Sequence, residues 1–168
     1  MKFRIGQGYD IHPLKAGRPM ILGGVAFDTP YGLDGHSDAD ALTHAICDSL
    51  LGASGMDDIG HHFPNTDPKY KDIDSQELLS EVVSLLTAKG YTIENIDSTV
   101  VAEKPKIGPR IPEMKRRLAQ SARISVEQIG IKATTNEQLG AIGRGEGIAA
   151  FASCLIQSDS SSSQTRGS

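Results

Sequence analysis

Residues 37–53, SDADALTHAICDSLLGA, give the clearest secondary-structure pattern in the chain. Their apolar residues recur at the spacing that is typical of a helix with one buried face: Leu42, Ala45, Ile46, Leu50 and Leu51. The pattern predicts that the helix begins at Ser37, whose hydroxyl can cap free N–H groups, with Asp40 completing a Ser-x-x-Asp variant of the capping box. Gly52 and Gly55 mark its end.

Shorter patterns on both sides of this helix predict strands and two further helices. Residues 2–12 alternate between apolar and polar, and residues 31–35 form a turn or loop before the helix. The predicted strands are 2–12, 21–27 with an interruption at Gly23-Gly24, 93–103, 129–135 and 148–156, and the further helices are 75–89 and 110–122. Because strands and helices alternate irregularly, we expect one α+β domain, with a mixed β-sheet covered by helices on one face.

The composition favours a soluble domain that binds neither nucleic acid nor membrane. With 168 residues and a net charge of −4, the chain has the size of one domain and lacks a basic stripe. No run of about 20 apolar residues occurs, and the N-terminus enters a strand without a signal-peptide pattern. Cys47 and Cys154 form no CxxC pair and are expected to be buried thiols. We expect a cytoplasmic protein with one domain over residues 1–157 and a disordered Ser-rich tail over residues 158–168.

Asp10, His12 and His44 form a candidate metal site. Asp10 and His12 are two positions apart on the first strand, so their side chains point to the same face. His44 lies on the predicted helix with Asp48 four residues further on, where a carboxylate can orient an imidazole. Two imidazoles and one carboxylate suit zinc and leave a fourth position open, as in catalytic zinc sites. On spacing alone, an ordinary strand end and a half-buried histidine remain the alternative.

A long polar connection over residues 55–74 contains a competing pair, His61 and His62. Loops of this length inside a compact domain are usually functional or mobile. Adjacent residues of an extended loop point apart, so we interpret these two histidines as solvated loop residues.

Residues 132–137, KATTNE, and the cations Lys104 and Lys106 are candidates for phosphate binding. The first group places hydroxyls and a carboxylate at a strand end, where they could hold phosphate oxygens and a magnesium ion. The two lysines flank Pro105 at a break in the chain and could cover a diphosphate. No Walker A motif occurs, and residues 143–147 lack the GxGxxG spacing. Taken singly, these features are also those of an ordinary protein surface.

In order along the chain, these segments resemble the 2-C-methyl-D-erythritol 2,4-cyclodiphosphate synthase family. The resemblance covers about residues 2–157, and its blocks are GYDIH at 8–12, HSDAD at 36–40, HA at 44–45, LLGA at 50–53, DIG at 58–60, FPNTDP at 63–68, PK at 105–106, KATT at 132–135 and GRGEGIAA at 143–150. So many blocks in the same order do not arise by chance, so the resemblance decides between the alternatives above.

The resemblance implies a cyclisation reaction with two kinds of metal ion. The 2-phosphate of 4-diphosphocytidyl-2-C-methyl-D-erythritol 2-phosphate would attack the β-phosphorus of its own diphosphate, and CMP would leave. Zinc would bind Asp10, His12 and His44. A magnesium or manganese ion would accompany the substrate diphosphate, and the catalytic residues would be Lys106, Thr135 and Glu137, the last also a ligand of that ion.

The resemblance also implies a substrate site and an assembly. The substrate-binding residues would be His36, Ser37, Asp58, Gly60, Phe63, Asn65, Asp67, Ala102, Pro105, Ile107, Ala133, Thr134 and Arg144. The family forms homotrimers with active sites shared between neighbouring subunits, and Arg144 with Glu146 would lie near the trimer axis, where an isoprenoid diphosphate can bind. Three residues depart from the usual family pattern and affect the expected affinity and rate more than the reaction type: Asn65, Asn136 and Gly108.

Two other functions fit parts of the sequence. A zinc-dependent phosphohydrolase would activate water on the metal, but no HExxH motif occurs and no general base is evident beside the ligands. A non-catalytic trimer that binds isoprenoid diphosphates is disfavoured because the predicted metal ligands and Glu137 are intact.

Overall fold

The computed structural model describes residues 2–64 and 66–158, and over these residues it contains seven strands and five α-helices. The strands are β1 (Lys2–Ala16), β2 (Met20–Leu22), β3 (Val25–Phe27), β4 (Tyr31–Leu33), β5 (Tyr91–Val101), β6 (Ile129–Thr134) and β7 (Gly147–Ser158). The helices are α1 (Ala41–Ala53), α2 (Ile59–His62), α3 (Ser75–Ala88), α4 (Ile111–Ala122) and α5 (Gly140–Gly143). Asn65 and residues 159–168 of the predicted tail lie outside the described residues, and Ser158 is the last residue of β7.

β7 lies at the centre of a five-stranded sheet with the order β4-β1-β7-β5-β6. It pairs antiparallel with β1 on one side and with β5 on the other, and β5 pairs parallel with β6. β2 and β3 form a separate hairpin. The predicted α+β domain with a mixed sheet is therefore confirmed.

Two predictions about the early strands are wrong. Residues 21–27 do not form one strand, because β2 and β3 fold back on each other through Gly23 and Gly24. These two residues have φ values of 56° and 70°, which glycine adopts without strain. Residues 31–33, predicted as a turn, form the edge strand β4, which pairs with the last residues of β1. β1 accordingly runs to Ala16, beyond its predicted end.

The predicted start of α1 is also wrong, because Asp40 rather than Ser37 is its N-cap and the helix begins at Ala41. The buried Asp40 carboxylate accepts hydrogen bonds from Thr43 N at 3.0 Å and from Thr43 Oγ1 at 2.7 Å. It also accepts from the two glycine N–H groups of the β2–β3 turn, at 2.9 and 2.7 Å. A buried carboxylate is tolerated when its oxygens are satisfied in this way. The helix ends at Ala53, where the sequence predicts its end.

α1 packs directly on the backbone of β1. A Cβ atom at Gly6 or Gly8 would lie 1.9 or 2.0 Å from a backbone carbonyl oxygen of α1, so only glycine permits this approach. α3 packs beside α1, and α4 packs beside α3. The close contact of α1 with β1 places His44 next to the residues of β1 that point in the same direction as the two glycines.

The opposite face of the sheet is apolar and exposed. The alternation of β1 points Phe3, Ile5, Tyr9 and Ile11 away from α1, and all four side chains are exposed. Phe151 of β7 is exposed as well and packs against Tyr9, with ring centroids 4.9 Å apart. Exposed apolar patches of this kind mark interaction surfaces.

Three further features of the chain bear on the sequence analysis. Cys47 and Cys154 are buried and free, as predicted. None of the described helices is long and apolar enough to cross a bilayer. α3 begins at Ser75, the predicted residue, with Asp74 as its N-cap.

Candidate active site

β1 and α1 bring Asp10, His12 and His44 together. Asp10 Oδ2 lies 2.9 Å from His12 Nε2 and 3.1 Å from His44 Nδ1, and these two imidazole nitrogens are 3.4 Å apart. Among residues 2–64 and 66–158, this is the one group of three such side chains that could hold a metal ion. These three side chains, the metal group, are those that the strand and helix spacing predicts as a candidate metal site, and their ligand atoms lie close enough together to hold an ion.

The arrangement of these three ligand atoms fits a zinc ion. Zinc bonds to nitrogen and to carboxylate oxygen are about 2.0–2.2 Å long, and a tetrahedral site then places its ligand atoms about 3.3 Å apart. The three separations observed here, 2.9, 3.1 and 3.4 Å, are close to that value. Three protein ligands leave a fourth position for a substrate atom.

The same contacts set the charge of the group. Burial alone would raise the pKa of Asp10, but hydrogen bonds with His12 and His44 outweigh it and hold that pKa well below its usual range. Burial alone would lower the pKa of His12, but the hydrogen bond with Asp10 and the carboxylate charge raise it above 6.5. Asp10 is therefore ionised at neutral pH, which is the form that binds a metal ion.

The prediction that Asp48 orients an imidazole is wrong. Its Oδ1 accepts a hydrogen bond from Ile59 N at 2.8 Å, which ties α1 to the start of α2. Over the described part of the chain, the groups within hydrogen-bond distance of His44 Nε2 are the hydroxyls of Ser75, at 2.9 Å, and Ser37, at 3.2 Å. Ser75 is 31 residues from His44, so no local pattern in the sequence indicates this contact.

A cavity of about 190 Å³ opens on the metal group. Apart from the three metal-group side chains, the lining residues are His36, Ser37, Ile59, Gly60, Phe63, Tyr70 and Leu78. Four of them are predicted substrate-binding residues, namely His36, Ser37, Gly60 and Phe63. The buried His36 Nε2 has no hydrogen-bond partner among the described residues. Since an unsatisfied buried nitrogen is costly, this atom is suited to bind a ligand that enters the cavity.

The segment over residues 58–67 borders this cavity and contains three further residues that the sequence predicts to bind substrate. Asp58 is the N-cap of α2, and Asp67 caps the short 3-10 turn that follows it. Asn65 lies outside the described residues. His61 is exposed and lies 3.1 Å from Asp58, whereas His62 is half-buried. The two histidines belong to α2 rather than to an extended loop.

Arg18 holds the segment that carries His36 and Ser37. Its Nη2 donates to Gly35 O at 3.2 Å and to Ser37 O at 3.1 Å, and its Nε donates to Leu33 O at 3.2 Å. A planar guanidinium can satisfy several carbonyl groups in fixed positions at once. Arg18 is absent from the residues predicted to form the site, because its partners are set by the loop conformation.

A second cavity, of about 480 Å³, gathers the predicted nucleotide-binding and phosphate-binding residues. Its lining residues are Ala102, Glu103, Pro105, Lys106, Ile107, Gly108, Pro109, Ile111, Ala133, Thr134 and Thr135. The parallel pairing of β5 with β6 brings the segments that follow both strands to the same edge of the sheet. The metal group and the predicted nucleotide-binding and phosphate-binding residues of the second cavity (the nucleotide group) thus line different cavities of one chain.

Glu137 lies two residues beyond this group, on a turn that Glu103 stabilises. Glu137 and Gln138 have φ values of 51° and 63°, a conformation that is strained for residues other than glycine. Glu103 Oε1 accepts hydrogen bonds from Asn136 N at 3.0 Å and from Gln138 N at 3.2 Å, on either side of Glu137. Thr135 Oγ1 lies 3.3 Å from Glu137 Oε1. Glu103 is thus a positioning residue that the sequence motifs do not identify.

One family model covers nearly all of the described chain. The model of the YgbB family matches residues 3–157. The chain belongs to the YgbB family. The matched residues include the metal group, both cavities and the turn at Glu137.

Relatives of this YgbB-family chain include curated and solved proteins. A curated relative from Synechococcus elongatus, named 2-C-methyl-D-erythritol 2,4-cyclodiphosphate synthase, is 58% identical over 158 residues, which are 94% of this chain and 99% of the relative. The structure of the bifunctional IspDF from Campylobacter jejuni matches 94% of this chain with a TM-score of 0.90 and 37% identity, and this chain spans 43% of that one. The structure of IspF from Plasmodium falciparum in complex with CDP matches 94% of this chain and 97% of that one, with a TM-score of 0.83 and 36% identity. The family predicted from the sequence is confirmed.

Arg144 of this YgbB-family chain lies in a third cavity, of about 570 Å³. Its Nε lies 2.6 Å from Glu146 Oε1, and both side chains are exposed. The cavity is also lined by residues of β1 and β4, among them Lys15 and Tyr31. Arg144 is therefore separate from the metal group in the chain described here.

Proposed function

We propose that this chain is a 2-C-methyl-D-erythritol 2,4-cyclodiphosphate synthase, a phosphorus–oxygen lyase that releases CMP. The observation that carries this assignment is the 58% identity to the Synechococcus elongatus relative of that name, over 99% of the relative's length. The CDP complex of the Plasmodium falciparum relative supports a cytidine diphosphate group as part of the substrate.

The reaction closes a ring within one substrate molecule. An oxygen of the 2-phosphate attacks the β-phosphorus, and the bond between that phosphorus and the oxygen shared with the α-phosphorus breaks. The electron pair of the broken bond leaves with CMP, so the atoms and charges balance without a protein nucleophile. Because a phosphomonoester has a second pKa of about 6, the attacking oxygen is already ionised at neutral pH. The protein has to hold the phosphates together and neutralise their charge.

Asp10, His12 and His44 would hold a zinc ion at the metal group. Bound there, zinc supplies a positive charge that polarises a phosphate oxygen. Two imidazoles and one carboxylate leave a net positive charge on the loaded group, which favours an anionic substrate. The buried contact of α1 with β1 keeps the three side chains in place before the substrate arrives.

Glu137, Thr135 and Lys106 would bind the diphosphate from the second cavity. The exposed carboxylate of Glu137 would hold a magnesium or manganese ion that accompanies the diphosphate. Thr135 and Lys106 line the same cavity, where a hydroxyl and an ammonium group can bind phosphate oxygens.

The other predicted residues would divide the substrate between the two cavities. The erythritol and its 2-phosphate would contact His36, Ser37, Phe63, Asn65 and Asp67. The ribose would contact Asp58 and Gly60, and the cytosine pocket would be formed by Ala102, Pro105, Ile107, Ala133 and Thr134. The buried Nε2 of His36, which has no hydrogen-bond partner within residues 2–64 and 66–158, supports the first of these assignments.

We also propose a homotrimer in which neighbouring subunits share each active site. One substrate has to reach both the metal group and the nucleotide group, yet these groups line different cavities of one chain. The exposed apolar face around Ile5 and Phe151 supports a subunit contact. In such a ring, Arg144 and Glu146 would lie near the axis, and an isoprenoid diphosphate would bind in the central channel. The buried free cysteines suit the reducing cytoplasm.

Co-expression of His44→Ala and Lys106→Ala chains tests the shared site. Each variant alone should be inactive, because every site would lack one of its two groups. In random mixed trimers, about one quarter of the sites (½ × ½) would combine an intact metal group with an intact nucleotide group from the neighbour. No recovered activity in mixed trimers would contradict the sharing of sites between subunits.

The two alternative functions predict other products. A zinc-dependent phosphohydrolase would release inorganic phosphate, and a non-catalytic trimer would release nothing. The cyclodiphosphate synthase name of the curated relative favours neither alternative. The intact metal group argues against a non-catalytic trimer.

Phosphorus NMR of the products tests the proposed function. The diphosphocytidyl substrate is incubated with the parent protein and with His44→Ala, with zinc and magnesium present. We expect CMP and a cyclic diphosphate in equal amounts from the parent and neither product from the variant. Inorganic phosphate as the product, or no turnover by the parent, would overturn the proposal.

A further inference from the structure

A buried serine hydroxyl lies between the metal group and a carboxylate. Ser75 Oγ is 2.9 Å from His44 Nε2, on the side of the imidazole that faces away from the metal group. The same oxygen donates a hydrogen bond to Asp38 Oδ1, and Ser75 N donates to Asp38 Oδ2 at 2.9 Å. Ser75 is fully buried, so no bulk water competes for these contacts.

The hydrogen bonds that join His44, Ser75 and Asp38 all have their donors and acceptors in the same order. Both oxygens of Asp38 accept hydrogen bonds from backbone N–H groups, Oδ1 from Asp40 N at 3.2 Å and Oδ2 from Ser75 N at 2.9 Å. Because the carboxylate is an acceptor at both oxygens, the single hydroxyl proton of Ser75 points to Asp38. Only oxygen lone pairs of Ser75 then face His44, and they can accept a proton from Nε2 but cannot offer one. With its proton on Nε2, the imidazole offers the lone pair of Nδ1 to a metal ion that would lie between Nδ1 and Asp10 Oδ2, which are 3.1 Å apart. In the metal-free group, a proton on Nδ1 makes the hydrogen bond with Asp10 instead.

Ser37 does not set the tautomer in the same way. Its hydroxyl lies 3.2 Å from His44 Nε2, further than that of Ser75, and its oxygen accepts a hydrogen bond from Ala39 N at 3.1 Å. Its proton is not held by another side chain in the described part of the structure, so this hydroxyl can rotate to suit either form of the imidazole.

We propose that Asp38 and Ser75 are positioning residues that fix the tautomer and the ring orientation of His44 for metal binding, an inference that rests on the metal site of the proposed function. Such outer partners of a metal-binding histidine typically change metal affinity by about 10- to 100-fold when they are removed. The Asp38–Ser75–His44 relay also joins the loop that carries His36 to the start of α3, because Ser75, the first residue of α3, donates to Asp38 through its N and Oγ. A separate hydrogen bond, from Asp72 N to His36 O at 3.0 Å, supports the same loop.

Two variants break the relay at different links. Ser75→Ala removes the hydroxyl that accepts from Nε2. Asp38→Asn keeps the shape of the side chain but replaces one of its two acceptor oxygens by an NH₂ group. The remaining amide oxygen is then needed to accept the hydrogen bond from Ser75 N. The NH₂ group would donate to Ser75 Oγ, which frees the serine proton to donate to Nε2 and favours a proton on Nδ1 of His44.

Zinc affinity, measured in competition with a chromogenic chelator, is the readout, with the cobalt absorption spectrum as a probe of ligand geometry. Ser80→Ala is the matched control, because Ser80 lies on the same helix and its hydroxyl donates to Gln76 O at 3.0 Å. Ser75→Thr keeps a hydroxyl and should retain more affinity than Ser75→Ala. Circular dichroism of the metal-free proteins shows whether each variant is folded.

We expect zinc to bind about 10- to 100-fold more weakly to Ser75→Ala and to Asp38→Asn, with an altered cobalt spectrum, and unchanged to Ser80→Ala. Parental affinity in the folded Ser75→Ala and Asp38→Asn proteins would overturn the relay and leave the metal site intact. Failure of the parent protein to bind zinc would overturn the metal site itself, and the relay with it. If one variant does not fold, the other still decides the question.

Discussion

Replacement of Gly8 by alanine tests whether the contact between β1 and α1 holds the metal group together. The new Cβ would lie 2.0 Å from Ala45 O and 2.8 Å from Ser49 N, which are backbone atoms of α1 and cannot rotate away. Because Cβ contacts below 3.0 Å are essentially never found, α1 would have to move by about 1 Å (3.0 − 2.0).

This movement would lower both stability and turnover. Overpacking in a well-packed core typically costs about 1–3 kcal/mol of unfolding free energy. α1 would also carry His44 Nδ1 away from Asp10 Oδ2, now 3.1 Å distant, although a metal site tolerates changes of only about 0.2 Å. A misplacement of about 1 Å at a catalytic group can lower the rate by about 100-fold.

Urea unfolding at a fixed protein concentration and CMP release measure the two effects. Gly52→Ala is the matched control, because Gly52 lies on α1 and an added Cβ meets no atom within 4 Å. That variant should gain about 0.4–1 kcal/mol of stability and keep its turnover. A Gly8→Ala protein as stable and as active as the parent would refute the argument from packing.

Three other contacts give predictions of the same kind. Asp40→Asn turns an NH₂ group towards backbone N–H donors, so the free energy of unfolding measured in urea should fall by about 1–3 kcal/mol. An unchanged free energy of unfolding would contradict the role of Asp40 as a buried helix cap. Glu103→Ala should lower CMP release while zinc affinity stays constant, and Glu103→Gln, which keeps an acceptor oxygen, should recover most of the rate; a loss of zinc binding would contradict this assignment. The hydrogen bond that His61 donates to the Asp58 carboxylate raises the pKa of His61 above 6.5, so the pair stabilises the loop most fully below pH 6.5 and is lost as the pH rises through the raised pKa. NMR titration should find that pKa nearer 6.5 in Asp58→Ala, and an unchanged value would exclude the pairing.

The metal group could be predicted because short-range rules determine it. The period of two along a strand places Asp10 and His12 on one face, and the helical pattern around His44 identifies the element that carries it. The glycines of β1 bring the two elements together, but the pattern does not by itself indicate such a close approach. The family resemblance supplied that step, and the structure gives its physical reason at Gly6 and Gly8.

The mistaken predictions concern side chains whose partners lie far away in sequence. Ser37 looks like a helix cap, but Asp40 takes that role because its carboxylate also binds the turn of the β2–β3 hairpin. Asp48 has the correct spacing to support His44, but it binds the start of α2 instead. Ser75 and Glu103 support the site through contacts across 31 and 33 residues, which no periodicity can indicate.

We infer that CMP release depends on a metal ion held by Asp10, His12 and His44. The most direct test is to strip the protein of metal, add zinc in small steps with magnesium in excess, and measure CMP release at each step. We expect activity to rise with zinc and to level off at one zinc per chain, since one such group is found in the described residues. His44→Ala should gain no activity over the same range. Full CMP release by the zinc-free protein, or equal activation of His44→Ala, would contradict it.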